Sequence, residues 1–266
     1  MGEGESSTTF NLFRAPKTAP ADEKMNIVVT FAVQAEFAPW RRMRNFKRTG
    51  EGIFMTRSEQ TEIHAFVTGI GARKFQLPPA DICLVSGVAG SLKQEHCIGD
   101  ILVAKSIRRE AIEAELTSDA SLVWTASQCG ASPVDFFYTA NSIVNSPSEK
   151  ARLGRIADAV DMESYPIMVQ ARRDQIPAVA VRAVSDTAHQ SLPLDFNRAI
   201  TAGGKIDWLP VLSQVAASPR SLPRLMRFGL ESSRAARKLA HFLERYLKCL
   251  VTEADSILTG AQMEVR

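Results

Sequence analysis

The chain has 266 residues, 45% of them apolar, which is enough to bury the core of one large α/β domain. No apolar run is long enough to cross a membrane, and four cysteines without C-x-x-C spacing exclude a disulfide framework or a zinc ribbon. The net charge of +3 is uninformative until it is mapped: six Arg and two Lys between Arg220 and Lys248 face only Glu231 and Glu244, leaving the rest of the chain mildly acidic.

Residues 1–24 are rich in Gly, Ser, Thr and Pro, lack the apolar segment of a secretory signal, and read as a loose tail. Met25–Ala32 reads as a buried strand, β-branched and apolar on both faces. Glu36–Arg44 follows as a helix start or loop. Gly52–Met55, Glu62–Gly69, Asp81–Ser86 and Gly99–Ala104 read as further strands, and 110–130 as helix running into loop. Phe136–Thr139 and Ser142–Val144 read as short strands. Ser146 and Pro147 open a helix to Arg155, Asp161–Arg173 reads as a helix bent at Pro166, and Pro177–Val184 is the clearest core strand.

Strands alternating with helices predict a three-layer αβα sandwich around a twisted, mixed, mostly parallel sheet. From Pro210 to Leu250 the pattern turns helical, with breaks near Ser218-Pro219 and Leu222-Pro223. Leu225, Phe228, Ala235, Leu239, Phe242, Tyr246 and Leu250 form an apolar stripe there, and Arg227, Arg234, Lys238 and Arg245 a basic one. The expected division is a tail at 1–24, a catalytic domain at 25–190 and a C-terminal helical extension at 191–266.

Three acids stand just past strands or at a helix opening: Glu36, Glu163 and Asp186. In a parallel sheet the carboxyl ends of strands share one edge, where ligands bind, so residues distant in the chain converge. Each acid has a structural rival. Asp186 is placed to cap the next segment, while Glu36 and Glu163 are placed as first-turn helix acids. Arg182 reads equally as a strand-end ion-pair partner or a substrate contact, and His189 as a surface loop residue.

Six motifs occur in one order: Ala32-Val-Gln-Ala-Glu36, Gly69-Ile-Gly71, Ser86-Gly-Val-Ala-Gly90, Gly99-Asp-Ile-Leu-Val103, Val160-Asp-Met-Glu-Ser164 and Val181-Arg-Ala-Val-Ser-Asp186. That series resembles the purine nucleoside phosphorylase superfamily, and most closely its methylthioadenosine/S-adenosylhomocysteine nucleosidase branch. The resemblance implies cleavage of a purine nucleoside at its N-glycosidic bond, by hydrolysis or phosphorolysis. Breaking that bond builds positive charge on the sugar and negative charge on the base. By resemblance Asp186, with Ser185 beside it, protonates the leaving purine, which calls for a desolvated acid. Glu163 grips the ribose hydroxyls, Met162 walls the sugar, and Glu36 activates water. Val88, Ala89 and Gly90 bring backbone close to the sugar, and Arg182, Ile143 and Val144 complete the substrate-binding set.

The sequence departs from the family pattern at three places. Val88 stands where many relatives have Ser, Val85 falls where phosphorylases place an Arg, and Ile143-Val144 replaces an aromatic that stacks on the base. Arg41, Arg42, Arg44 and Arg73 are the cations left to meet a phosphate. No metal or organic cofactor is implied, inorganic phosphate being the co-substrate only of a phosphorylase. A nucleoside-binding protein without turnover is the alternative from another class.

The chain runs nearly 80 residues past Ala188, where the ordinary nucleosidase is expected to end. Ser191-Leu-Pro-Leu-Asp-Phe-Asn197, Leu222-Pro-Arg-Leu225 and the basic helix resemble the hopanoid-associated phosphorylases. That branch implies an adenosyl-hopanoid substrate and hopanoid biosynthesis. Its enzyme would be cytoplasmic, with peripheral contact to the inner membrane through the basic helix. The rival placement packs the apolar stripe on the α/β core or a second subunit. Relatives imply a homodimer. The basic stripe lacks interleaved aromatics, so nucleic acid is not an expected partner.

Overall fold

The computed structural model describes residues 24–201 and 203–263, so the tail read at 1–24 lies almost wholly outside the described residues. Eleven strands form one mixed sheet in the order β2-β3-β4-β1-β5-β11-β6-β10-β9-β7-β8. The strands are β1 (Met25–Phe31), β2 (Lys47–Gly50), β3 (Ile53–Arg57), β4 (Thr61–Val67), β5 (Ile82–Val85), β6 (Val88–Ser91), β7 (Ile101–Arg109), β8 (Ile112–Thr117), β9 (Ser132–Thr139), β10 (Ala159–Asp161) and β11 (Ala178–Asp186). The helices are α1 (Gln34–Met43), α2 (Ala120–Gln128), α3 (Pro147–Leu153), α4 (Ser164–Arg173), α5 (Trp208–Ala217) and α6 (Leu222–Met263).

β1 lies between β4 and β5, parallel to both, and β5 is parallel to β11. β11 is long enough to change partners along its length. Ala178–Ala180 pair with β5, Val181–Ala183 with β7, and Ala183–Asp186 with β6. Because β6, β10, β9 and β7 are also paired in series, β11 closes them into a ring. Every residue of β11 is buried, as a strand covered on both faces requires.

Strand periodicity sorts the apolar side chains onto two faces. Ile27, Val29, Phe31, Leu84, Val179 and Val181 pack with α1, α2 and α6, whereas Val28, Cys83, Val85, Ala178 and Ala180 pack with α4. The C-terminal stripe belongs to the first of these cores: Ala235, Leu239, Phe242 and Tyr246 are fully buried. Glu244 accepts from Trp40 Nε1 at 2.6 Å and pairs with Arg44, while the Tyr246 hydroxyl donates to the Leu122 carbonyl at 2.6 Å. The stretch of α6 from Ala235 to Leu250 is thus an integral wall of the αβα sandwich.

Several expectations need correction. Residues 112–117 are a strand, not helix, because the β7 edge offers them an antiparallel ladder. β9 begins at Ser132, four residues earlier than read, and pairs with β7 along its length. Ser142–Val144 forms no strand, since Asn197 takes its backbone: the side chain accepts from the Ile143 amide and donates to its carbonyl. Asp161 ends β10, and α4 starts at Ser164. Pro223 does not break the chain but sits in the first turn of α6, where a missing amide costs nothing. The break at Ser218-Pro219 is present as a short 3-10 turn, Pro219–Ser221. Ser146 caps α3 through Glu149, with Pro147 in its first turn.

Candidate active site

Strand β6 lies against two of the three acids. Glu36, in the first turn of α1, folds back so that Oε2 accepts from the Ala32 amide at 2.9 Å and the Val33 amide at 3.4 Å. Its Oε1 reaches across to the Val88 amide at 3.2 Å, the first residue of β6. Two residues further on, a methyl group at Gly90 would lie 3.0 Å from Asp186 Oδ2 and 3.4 Å from Val160. The interval from Val88 to Gly90 is about 7 Å of extended chain. Glu36 and Asp186 therefore stand at opposite ends of one short strand.

Glu163 joins the cluster from the opening of α4. Its Oε1 accepts from the Gly71 amide at 2.9 Å, and its Oε2 lies 3.7 Å from Arg182. Burial raises its pKa to about 7, opposed by Arg182 and reinforced by the charges of Asp161 and Glu36. Burial likewise lifts Glu36 above the usual carboxylate range, against Arg182 and the three amides that favour its charge. Carboxyl groups whose electrostatics reach one another this strongly share one site.

Arg182 lies beneath the Gly87 turn and is fully buried. Its guanidinium bonds Asp161 and the Ser86 carbonyl at 2.9 Å and the Ser164 hydroxyl at 3.0 Å. Burial works against the charge, but Asp161, Glu163 and Glu36 together raise its pKa. Each of its three nitrogens is engaged by protein, so its contacts in this structure are those of an ion-pair partner. Asp161 was absent from the sequence-based set; its signal was the acid two residues before Glu163.

Ser185 Oγ lies 3.1 Å from the Ala89 carbonyl and 2.6 Å from Asp186 Oδ1. Met162 is half-buried next to Glu163, and Ala89 is buried within β6. Ile143 and Val144 lie in the loop that Asn197 clamps, with Val144 buried against Leu92, Ala140 and Val160. Val160 also faces Gly90, which ties that loop to the Asp186 end of β6.

Sequence reading missed Lys150 altogether. It is fully buried in α3 and its ammonium bonds Asp186 Oδ2.

The basic residues considered for phosphate divide. Arg44 is taken by Glu244 and Arg41 stacks over Phe54 at 4.7 Å. Arg42 is exposed in the same last turn of α1, about 9 Å along the helix from Glu36. Arg73 lies beside Gly71, near the Glu163 end. Val85 is fully buried in β5. Two surface grooves, one bordered by Leu116, Asp119 and Met168 and the other by Asn145, Leu192 and Gln214, contain none of the three acids. Among the described residues, no group of three His, Cys, Asp or Glu is placed to hold a metal ion, and no helix is long and apolar enough to cross a membrane.

The chain resembles known proteins in sequence and in fold. The chain is 25% identical over 189 residues to a 5'-methylthioadenosine/S-adenosylhomocysteine nucleosidase of Shewanella halifaxensis, covering 62% of this chain and 81% of that protein. In three dimensions it resembles the Helicobacter pylori nucleosidase of the same name, with a TM-score of 0.63 at 17% identity, over 84% of this chain and 98% of that one. The futalosine hydrolase of Helicobacter pylori gives a TM-score of 0.63 at 17% identity, over 84% and 97%. A share of 84% exceeds what residues 25–190 contain, so the likeness runs into the C-terminal helices instead of ending near Ala188. The family model of the phosphorylase superfamily matches residues 27–205, and the chain belongs to that superfamily of N-glycosyl bond-cleaving enzymes.

Proposed function

We propose that this chain hydrolyses the N-glycosidic bond of an adenine nucleoside. The supporting observation is the placement of Glu36 and Asp186 toward the two ends of β6, with Glu163 held by the Gly71 amide beside Arg182 and electrostatically coupled to Glu36. The sugar lies along β6, where Gly90 leaves backbone approachable. Glu163 accepts from the ribose hydroxyls. As C1′–N9 breaks, its electron pair passes to the purine, and Asp186 delivers a proton to N7. Glu36 takes a proton from the water that adds to C1′, and the products are adenine and the free sugar. The raised pKa of buried Glu36 suits a base that must both accept and return a proton.

Hydrolysis is preferred to phosphorolysis because Arg44 and Arg41 are turned to Glu244 and Phe54 and Val85 offers no charge. The test follows adenine release from 5'-methylthioadenosine and other 5'-substituted adenosines, with and without phosphate. The expected product is free sugar at a phosphate-independent rate; sugar 1-phosphate would reverse the preference. Asp186→Asn should lower the rate at least about a hundredfold, the usual contribution of a general acid. A non-catalytic binder would show no adenine release, with ligand affinity unchanged by that substitution.

A lipid-linked 5′ substituent, as in an adenosyl-hopanoid, is favoured by one feature of the C-terminal helices. Trp208, Leu209 and Leu212 of α5 and Met226 and Leu230 of α6 are all more than 60% exposed. The segment leading into α5 is bonded to the Glu163 end of the site, where the Ile70 amide donates to the Gly204 carbonyl at 2.8 Å. Arg220, Arg224 and Arg227 flank these side chains in sequence. An anionic bilayer matches that chemistry better than the stripe from Ala235 to Leu250, which is spent in the core. The protein should sediment with anionic vesicles at low salt and be released by Trp208→Ser with Leu209→Ser. Burial of these side chains in a stable dimer, without pelleting, would replace the bilayer by a second copy.

A further inference from the structure

Lys150 occupies a place that an amphipathic helix normally gives to Leu. It shares the buried face of α3 with Leu153 and has no exposed surface. An ammonium so far from water is tolerated only when its protons are all engaged and a counter-charge is at hand. Both conditions are met. Nζ donates to Asp186 Oδ2, to the Thr187 carbonyl at 2.8 Å and to the Gln190 carbonyl at 3.2 Å. Three donors meet three acceptors, so no proton of the ammonium remains for a ligand.

The arrangement fixes Asp186 from two sides. Lys150 takes Oδ2, the Ser185 hydroxyl takes Oδ1, and the carboxyl plane has no free rotation left. The two carbonyl contacts carry the same anchor into the loop after β11. There Gln190 accepts from the Thr187 amide and donates to Glu231 of α6 at 2.8 Å. α3, the end of β11 and the first turns of α6 are thus joined at one buried cation.

We propose that Lys150 is the positioning residue for base departure. It acts through Asp186, holding the protonated carboxyl in register with the leaving purine and balancing the carboxylate left on Asp186 once its proton has passed to N7. This rests on the assignment of Asp186 in the proposed function. Lys150 touches neither sugar nor base. Its influence is confined to steps that depend on Asp186, and it leaves the sugar half of the chemistry, at Glu36 and Glu163, unaltered. A buried cation kept only to stabilise the fold would carry no such selectivity.

A double-mutant cycle tests this with Lys150→Met, Asp186→Asn and the pair combined. Each is assayed on whichever 5'-substituted adenosine the unaltered protein cleaves fastest. Lys150→Met is expected to lower kcat by at least about tenfold with little change in KM, the scale on which misplaced catalytic groups lose rate. The double variant should lose no more than Asp186→Asn alone, because both changes remove the same device. It also serves as the folding control, since neutral Met there meets neutral Asn. A second arm uses 4-nitrophenyl β-D-ribofuranoside, whose leaving group departs without protonation; its cleavage relative to the adenosine should rise in Lys150→Met.

Losses that multiply in the double variant, or a Lys150→Met protein with wild-type kcat beside a disabled Asp186→Asn protein, would overturn the role of Lys150 and leave Asp186 standing. An Asp186→Asn protein with wild-type rate would instead remove the assignment of the acid. Absence of adenine release by the unaltered protein would overturn both.

Discussion

The Gly71 amide donates to Glu163 Oε1 at 2.9 Å, while Arg182 approaches the other oxygen at 3.7 Å. These contacts favour the carboxylate, yet burial outweighs them and the pKa rises to about 7. The fold therefore favours the neutral acid. Stability from this group is fully present below the ordinary carboxylate pKa and is lost as pH climbs through that value to about 7. Thermal unfolding of the ligand-free protein should shift to lower temperature over that interval, by a free energy on the order of a few kcal/mol at most. Glu163→Gln should flatten that dependence. A ribose clamp must accept two O–H bonds as a carboxylate, so kcat/KM should rise with pH along a limb near 7. An unchanged limb in Glu163→Gln would assign it to another group.

Gly87 carries a second prediction. Its φ of +144° is disfavoured for residues with a side chain, and an added Cβ would stand 2.3 Å from Arg182 Nη1 and 3.1 Å from Glu36 Oε2. The guanidinium cannot retreat, because Asp161, Ser86 and Ser164 hold it. Gly87→Ala should destabilise by about 1–3 kcal/mol through backbone strain, with further loss from the displaced Arg182. Activity should fall more than stability does, since the same methyl group pushes on Glu36. Equal activity in the alanine variant at a temperature where both proteins are folded would separate Glu36 from the chemistry.

The strand-end rule made Glu36 and Asp186 legible in the sequence, because the parallel strands β1 and β11 deliver them to one edge, whereas Glu163 follows β10, which runs opposite to β11 and meets the others only because it runs back along β6 toward the Gly87 turn. Lys150 was illegible for the opposite reason. A lysine in an amphipathic helix ordinarily faces water, and nothing local announces an acid 36 residues away. Arg182 was visible as an oddity in an apolar strand, but its partners lie in other elements, so its role could not be chosen. Strand β8 was lost because Ile112-Glu-Ala-Glu-Leu suits a helix by propensity; pairing with β7 decides it. The C-terminal stripe was seen with the right period, whereas which surface it covers depends on Trp40 and Leu122, far off in the chain.

That packing makes α6 a determinant of stability. Phe242 is fully buried and stacks on Tyr246 with ring centroids 5.4 Å apart. Phe242→Ala should cost about 3–5 kcal/mol, the range for deleting a core aromatic. Chemical denaturation would measure it. A cost below about 1 kcal/mol would mean that α6 is an appendage and not part of the core.

Two cysteines that look unrelated in sequence meet at the same junction. Cys129, at the end of α2, and Cys249, in α6, are not disulfide-bonded and have their sulfur atoms 2.8 Å apart. In a reducing compartment they remain thiols. Mild oxidation of the pure protein should join them, closing a loop of about 120 residues, for which the chain-entropy model gives about 4–5 kcal/mol of stabilisation. Peptide mapping by mass spectrometry under non-reducing conditions should recover the Cys129–Cys249 pair, and Cys249→Ser should abolish both the cross-link and the rise in Tm. Catalysis should be unaffected, because the bridge ties α6 to α2 on the sheet face opposite α4, leaving Asp186 and Lys150 untouched. A cross-linked protein that loses activity would mean that α6 must move relative to α2 during turnover.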